Sequence, residues 1–150
     1  LRDDLAPGKF VLVDQFIDST RSRPSTFFED DGVVAHVEMG DPVCGSLQEA
    51  LYRSALATGG ATIHRGGTYV CIEGPQFSTR AESHLYRSWG ATVVGMTNLP
   101  DATVALVTDY DCWHQTHESV TVEAVIAVLK KNVALAQSIL RELTPRVPDP

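Results

Sequence analysis

Short, mainly apolar runs alternate with helix-like segments along this chain, and this alternation limits the folds that it can adopt. The runs lie at residues 10–13, 68–72, 91–94 and 103–107. An apolar run of four or five residues without polar interruption is typical of a strand that is buried on both faces. Strands that alternate with helices favour an α/β fold. We therefore expect a mixed, partly parallel β-sheet that is flanked by helices.

Three segments carry helix signals. The first covers residues 41–58 and is stopped by two glycines, and the second starts at a capping box of Thr79 and Glu82. The last starts at Thr121, and its apolar residues recur at helical spacing, which predicts one core-facing stripe: Val122, Val125, Ile126, Leu129, Val133, Ala136, Leu140 and Leu143. Residues 18–32 are rich in Ser, Thr, Arg, Asp and Pro and are predicted to form a long loop.

Charge and cysteine content exclude several classes of protein. The sequence has 19 acidic and 12 basic residues, a net charge of −7, whereas nucleic-acid-binding proteins usually present a basic face. No apolar run is long enough to span a bilayer. Cys44, Cys71 and Cys112 are an odd number without a close pair, which is typical of reduced thiols in the cytoplasm. We expect a cytoplasmic protein that binds neither nucleic acid nor membrane.

Polar and aromatic residues directly follow three of the predicted strands. The segments are Glu-Gly-Pro-Gln-Phe at 73–77, Gly-Met-Thr-Asn at 95–98 and Thr-Asp-Tyr-Asp at 108–111. Ligands of open α/β sheets bind at the carboxyl ends of the strands. The three segments are therefore expected to meet at one pocket, with an aromatic ring to stack on a flat ligand, a threonine for an anion and two aspartates for N–H groups.

Each of these features also has a purely structural interpretation. Phe77 could be a core residue, and Asp109 and Asp111 could be solvated or capping groups at a strand end. The Cys-x-His-x-x-His cluster at residues 112–117 suggests a metal, but a fourth ligand at a fitting spacing is missing from the sequence. We therefore predict no metal.

Together the motifs resemble the trimeric purine nucleoside phosphorylase family. The resemblance is carried by Asp-Gln-Phe-Ile-Asp (14–18), Glu-Gly-Pro-Gln-Phe-Ser (73–78), Arg-Ala-Glu-Ser (80–83), Trp-Gly (89–90), Gly-Met-Thr-Asn-Leu-Pro (95–100) and Thr-Asp-Tyr-Asp-Cys-Trp (108–113). The last segment resembles the branch of the family that acts on 5′-methylthioadenosine. The likeness covers nearly the whole chain in the right order.

The resemblance implies an activity and a set of site residues. It implies phosphorolysis of 5′-methylthioadenosine to adenine and 5-methylthioribose 1-phosphate by a homotrimer, with inorganic phosphate as co-substrate and no cofactor. The implied substrate-binding residues are Phe77, Ser78, Met96, Thr97, Thr108, Val122, Val125, Ile126 and His36. Among these, Thr97 would bind the phosphate, and His36 would reach the pocket of a neighbouring subunit. Asp109 and Asp111 would be catalytic and would recognise the N7 and 6-amino edge of adenine, with a desolvated Asp109 staying protonated to donate toward N7.

The resemblance also implies that parts of the family fold are absent from this sequence. Residues 1–150 match the carboxyl-terminal part of a single nucleoside phosphorylase domain. The family's phosphate-binding Gly-Thr loop and Arg-His pair belong to the amino-terminal half, and a helix is missing near Asp101-Ala102. The departures leave two hypotheses open, a phosphorylase or a non-catalytic fragment that keeps a purine-binding surface, and we expect the chain to be inactive by itself. A relative of different base preference is disfavoured by Asp109, where 6-oxopurine-preferring members have Asn.

Overall fold

Three helices and six short strands make up the part of the chain that the computed structural model describes, residues 1–24, 26, 32–97, 104–114 and 122–147. The elements in chain order are β1 (Phe10–Leu12), β2 (Gln15–Ser19), α1 (Gly45–Thr58), β3 (Ile63–Arg65), β4 (Thr68–Ile72), α2 (Arg80–Ser88), β5 (Val93–Gly95), β6 (Val104–Leu106) and α3 (Val122–Leu143), followed by a 3₁₀ turn at Thr144–Arg146. None of these helices combines the length and the apolar character that crossing a bilayer requires. The α/β class predicted from the sequence is confirmed.

The strands form two three-stranded sheets, whereas the sequence suggested one. In the first sheet β1 lies between β3, to which it is parallel, and β6, to which it is antiparallel. In the second sheet β4 lies between β2 and β5, and all three strands are parallel. The mixed, partly parallel pairing that we expected is therefore distributed over two sheets.

The two sheets are connected by a bend that two neighbouring strands make together. β1 and β3, which are paired in the first sheet, continue into β2 and β4, which are paired in the second. At the crossing, Asp14 donates its N–H to the Gly67 carbonyl oxygen (3.2 Å) and accepts the Gly67 N–H on Oδ1 (2.9 Å). Gly66 and Gly67 have φ values of 77° and 133°, a region that glycine occupies without steric cost. The bend therefore depends on this glycine pair.

The strand β1 is buried on both faces, as its sequence predicted. Phe10 and Leu12 pack into a cluster with residues of α1 and α3, and both are 3% exposed or less. Val11 and Val13 face the opposite side, where they join side chains of β4 and β5. Fully burying a side chain of this size stabilises a fold by about 1.5–3 kcal/mol. This short strand is thus shared by two of the hydrophobic clusters.

Local sequence signals predict where two of the helices begin or end. Thr79 Oγ1 accepts the Glu82 N–H (3.2 Å) and Glu82 Oε2 accepts the Thr79 N–H (2.6 Å), which is the predicted capping box at the start of α2. Helix α1 ends at Gly59 as expected, but it begins at Gly45 rather than at residue 41. Thr121, the predicted cap of α3, lies outside the described residues.

The predicted burial of α3 is wrong for most of its stripe. The spacing predicted the helix correctly, but several stripe residues are between 38% and 57% exposed: Val122, Ile126, Leu129, Val133 and Leu140. The carboxyl-terminal part of α3 packs on α1, and Ile139 and Leu143 are buried there. Helical spacing identifies which residues share a face, but it does not say what covers that face.

Two strands were not predicted from the sequence. Residues Gln15–Ser19 and Ile63–Arg65 form β2 and β3, although both contain polar side chains, and the predicted loop at 18–32 begins after Ser19 rather than at Asp18. Each is parallel to an apolar strand that the sequence did reveal. The partner strand, rather than their own pattern, determines their conformation.

We predict that Gly67→Ala destabilises the protein by about 2 kcal/mol. A Cβ at this position would lie 2.6 Å from the Oγ1 atom of the buried Thr92, and the backbone φ of 133° is unfavourable for alanine. Urea unfolding followed by circular dichroism measures the loss. Gly60→Ala is the matched control, because its φ is 79° but nothing lies within 4 Å of the methyl group that alanine would add. Equal destabilisation by the two substitutions would show that the contact with Thr92 does not constrain the bend.

Candidate functional site

A cavity of about 370 Å³ lies between the two sheets. Tyr69 of β4 and Val93 of β5 line it from the second sheet, and Ala105 of β6 lines it from the first. Its volume is within the range of about 300–1,000 Å³ that is usual for small-molecule sites. Residues from all three strand-end segments predicted to converge line this one cavity.

The turn after β4 supplies an aromatic wall. Phe77 lines the cavity and is 41% exposed, so its ring is available to a ligand rather than buried in the core. Gly74 in the same turn has a φ of 73°, and a Cβ there would lie 2.7 Å from Met96 Sδ. The absence of a side chain at Gly74 therefore lets Met96 lie close to this turn.

The segment after β5 supplies a second wall. Met96 is half-buried and Thr97 is exposed, and both line the cavity. A Cβ at Gly95 would overlap the Tyr69 hydroxyl oxygen, so this position is also limited to glycine by a close approach. Asn98, which belongs to the segment predicted here, lies outside the described residues.

The loop after β2 is hydrogen-bonded to both of these strand ends. Glu73 Oε2 accepts the backbone N–H groups of Arg21 and Ser22, and these bonds hold the pKa of Glu73 below its usual value. The Arg23 guanidinium donates to the Met96 carbonyl oxygen and lies 3.4 Å from Cys71 Sγ. The beginning of the predicted long loop therefore supports the edge of the cavity.

Asp109 and Asp111 form a turn in which the first carboxylate accepts two hydrogen bonds. Asp109 accepts the Asp111 N–H on Oδ1 (2.7 Å) and the Thr108 hydroxyl on Oδ2 (2.7 Å). Asp111 has a φ of 60°, a left-handed conformation that costs a non-glycine residue about 1–2 kcal/mol. Such a conformation persists where the surrounding structure holds it, and it is frequent at functional sites.

Helix α2 holds the Asp111 side chain. Asp111 Oδ2 accepts the hydroxyl of the fully buried Ser83 at 2.6 Å, and Oδ1 accepts the Cys112 N–H at 2.9 Å. The Cys112 thiol lies 3.2 Å from the Ser78 carbonyl oxygen. Burial raises the pKa of Cys112, and the Asp111 charge adds to the rise, so the thiol remains a protonated donor. Both oxygens of Asp111 are thus hydrogen-bonded within the protein.

Most of the predicted site residues line the cavity: Phe77, Ser78, Met96, Thr97, Thr108, Asp109, Asp111 and Val125. Val122 and Ile126 are 55% and 43% exposed on α3 and are not among its lining residues. His36 is exposed in the segment before α1. The structure therefore brings eight of the predicted site residues together at one cavity and leaves these three outside its lining.

Several residues around the cavity were not identified from the sequence. Ser83 ends the motif Arg-Ala-Glu-Ser at residues 80–83, and its contact with Asp111 is not predicted by that motif. A serine on the inner face of a short amphipathic helix is the signal that could have identified it, because buried hydroxyls need a partner. Leu5 and Leu129 also line the cavity, and nothing in their sequence context separates them from the other leucines of the chain.

In the Cys-x-His-x-x-His segment at residues 112–117, His114 contacts other side chains of the protein. The His114 ring centre lies 4.6 Å from that of Tyr110, and its Nε2 lies 3.6 Å from Asp3 Oδ1. His117 lies outside the described residues. Within the ranges that the structure describes, no group of three or more His, Cys, Asp or Glu side chains could hold a metal ion.

The arrangement suits a flat ring with a polar edge. Phe77, Met96 and Val125 provide apolar surface, and Asp109 provides a carboxylate that lines the cavity. Apolar walls with a few fixed polar groups are typical of sites for small molecules.

Comparison with known proteins gives consistent matches. The model of the phosphorylase superfamily matches residues 1–145. The S-methyl-5′-thioadenosine phosphorylase of Geobacter sulfurreducens is 51% identical over 158 aligned residues, which cover 98% of this chain and 55% of that protein. The protein of the same name from Thermosynechococcus vestitus is 53% identical over 160 residues, with 98% and 55% covered. The chain thus spans about half the length of the curated relatives that it matches.

Solved structures share the fold. A methylthioadenosine phosphorylase from an antarctic soil metagenomic library superposes with a TM-score of 0.86 at 43% identity, over 96% of this chain and 54% of that one. The methylthioadenosine phosphorylase of Schistosoma mansoni in complex with adenine has a TM-score of 0.88 at 32% identity, with 95% and 60% covered. The match over residues 1–145 and the shared fold show that this chain belongs to the phosphorylase superfamily.

Proposed function

We propose that this chain forms the purine and ribose side of a site that cleaves 5′-methylthioadenosine with inorganic phosphate. The products are adenine and 5-methylthioribose 1-phosphate, and no cofactor takes part. The observation that carries the proposal is the position of Asp109, which lines the same cavity as Phe77 and is held by two hydrogen bonds. Relatives at about half identity that are named for this activity support it.

The hydrogen bonds of Asp109 fit the edge of adenine. Its Oδ1 accepts the Asp111 N–H and its Oδ2 accepts the Thr108 hydroxyl. A protonated carboxyl offers one acceptor and one donor, and adenine presents a 6-amino donor next to the N7 acceptor. A 6-oxopurine presents two acceptors, O6 and N7, at this edge. Its O6 faces the acceptor oxygen of the carboxyl group, so one hydrogen bond is lost and two lone pairs repel each other. The site selects the 6-amino base for this reason.

The same proton serves the reaction. A phosphate oxygen forms a bond to C1′ of the ribose while the bond from C1′ to N9 breaks, and the electron pair of that bond goes to the purine. Positive charge develops on the sugar, as in glycoside hydrolysis. Transfer of the Asp109 proton to N7 neutralises the departing base, which is general acid catalysis. Phe77 and Met96 form the apolar surface against the base and the ribose, and Thr97 contacts the phosphate.

We also propose a cytoplasmic homotrimer in which His36 of one subunit reaches the site of the next. The large apolar residues exposed at 33–39 and on α3 support an assembled form, because extended apolar patches usually mark interfaces. Val122 and Ile126 belong to the exposed α3 face, next to the cavity-lining Val125. The 5′-methylthio pocket is therefore proposed to be completed at the interface between subunits. The three free cysteines support a reducing compartment.

The first prediction concerns the reaction itself. We expect the natural subunit that carries this chain to release adenine from 5′-methylthioadenosine only when phosphate is present, with one 5-methylthioribose 1-phosphate formed per adenine. Chromatography of the products at several phosphate concentrations measures both. Adenine binding without any phosphate-dependent release would overturn the proposed activity in favour of a non-catalytic purine-binding protein. Release that does not depend on phosphate would indicate a hydrolase.

The second prediction concerns base selection. Asp109→Asn is expected to lower kcat/KM for 5′-methylthioadenosine roughly 100-fold, because the proton donor is lost, and to raise it for the 6-oxo analogue, 5′-methylthioinosine. Steady-state kinetics with both substrates measures the change. Asp41→Asn is the control, because Asp41 is exposed and does not line the cavity. Unchanged kcat/KM for both substrates in Asp109→Asn would contradict the assignment of Asp109.

A further inference from the structure

We propose that Arg23 is a positioning residue for the phosphate side of the site: its guanidinium group fixes the peptide unit between Met96 and Thr97 and thereby sets the affinity for inorganic phosphate. This inference rests on the proposed function, in which Thr97 contacts the phosphate, and deepens it. Arg23 belongs to the loop that follows β2, and it is not among the residues that line the cavity. It therefore acts through residues that do line it.

The segment that carries Met96 and Thr97 extends past the end of its sheet. The strand β5 lies at one side of the second sheet, and its pairing with β4 ends where Gly95 is opposite Cys71. Met96 and Thr97 follow Gly95 directly and line the cavity. A backbone that leaves a sheet needs other partners for its polar groups. Arg23 is such a partner, because its guanidinium donates to the Met96 carbonyl oxygen.

The Arg23 side chain is itself held in place. It is half-buried, and its second terminal nitrogen lies 3.4 Å from the Sγ atom of the fully buried Cys71. A planar guanidinium that contacts two groups is restricted in orientation as well as in position. Because Cys71 belongs to β4 and Met96 follows β5, the side chain bridges the ends of two neighbouring strands.

The backbone of the loop is fixed by a carboxylate at the end of β4. Glu73 Oε2 accepts the N–H groups of Arg21 and Ser22, the latter at 3.0 Å. These two bonds, and more weakly the charge of Arg23, lower the pKa of Glu73, so the group is an ionised acceptor at neutral pH. The loop thus runs from the end of β2 to the end of β4 and presents Arg23 to the segment after β5.

The bond from Arg23 reaches the phosphate contact through one peptide unit. The Met96 carbonyl and the Thr97 N–H belong to the same planar peptide. A cation that hydrogen-bonds to the carbonyl oxygen polarises this peptide and strengthens its N–H as a donor, which favours an anion at Thr97. The Met96 side chain depends less on Arg23, because it packs against the turn at Gly74, where an added Cβ would lie 2.7 Å from its Sδ. The effect is therefore expected on phosphate rather than on the nucleoside.

The test measures KM for phosphate and KM for 5′-methylthioadenosine separately, in the natural subunit that carries this chain. Arg23→Met removes the guanidinium and keeps most of the apolar side chain. It is expected to raise KM for phosphate about tenfold, the effect of one hydrogen bond to a charged group, and to leave KM for the nucleoside nearly constant. A residue that only stabilises the fold would change both constants alike or neither, and either result would overturn the proposal.

Arg21→Met is the matched control. It removes the same charge from the same loop, but Arg21 contacts Glu73 through its backbone N–H, which the substitution keeps. Both KM values are expected to stay unchanged. An equal rise of KM for phosphate in Arg21→Met would show that the charge of the loop, rather than the bond to Met96, attracts the anion, and it would overturn the proposal.

A second substitution tests the route through the loop. Glu73→Ala removes the acceptor of the two loop N–H groups, so it is expected to raise KM for phosphate as well. In the Arg23→Met background it is expected to add little, because both substitutions act through the same bond to Met96. Fully additive effects would contradict this route. Should Arg23→Met fail to fold, Glu73→Ala alone decides, because an unchanged KM for phosphate there overturns the proposal.

The outcomes also distinguish this inference from the function on which it rests. If the unsubstituted protein releases adenine in a phosphate-dependent reaction but Arg23→Met has the same KM for phosphate, only the role of Arg23 is wrong. If the unsubstituted protein shows no phosphate-dependent release, the proposed function is wrong, and the role of Arg23 falls with it.

Discussion

The hydrogen-bonded crossing of Asp14 with Gly67 is the constraint on which the rest of the structure depends. It lets two paired strands leave one sheet and continue, still paired, in a second sheet. Because the paired strands pass from one sheet into the other, side chains such as Tyr69 and Ala105, one from each sheet, line a common cavity. The cavity is therefore a consequence of the bend, and the glycines that permit the bend matter to the site although they do not line it.

Much of the fold could be predicted because its signals are local. The apolar run at 10–13 and the capping box of Thr79 and Glu82 specify a strand and a helix start by chemistry within a few residues. The two sheets, the strand Gln15–Ser19 and the exposure of α3 could not be predicted in this way. Each of these depends on partners that are distant in sequence, such as the strand β4 that fixes the conformation of β2.

The candidate site shows the same division. Phe77, Met96 and Asp109 were identified because they directly follow strands, and the carboxyl ends of strands meet at one edge. The contact of Ser83 was missed because its partner is a carboxylate 28 residues away, which no local pattern reveals. The surroundings of the two aspartates differ. Asp111 has both oxygens bonded within the protein, whereas Asp109 is held on one side by the Asp111 N–H and shares the other oxygen with a rotatable hydroxyl.

In the proposed site Asp109 and Asp111, which both line the cavity, recognise the N7 and 6-amino edge of adenine. A crystal structure of the protein with adenine tests this claim most directly. We expect the Asp109 oxygens at hydrogen-bonding distance, about 2.6–3.2 Å, from N7 or the 6-amino nitrogen, with the ring beside Phe77. Adenine bound outside this cavity, or inside it beyond the reach of both aspartates, would contradict the account.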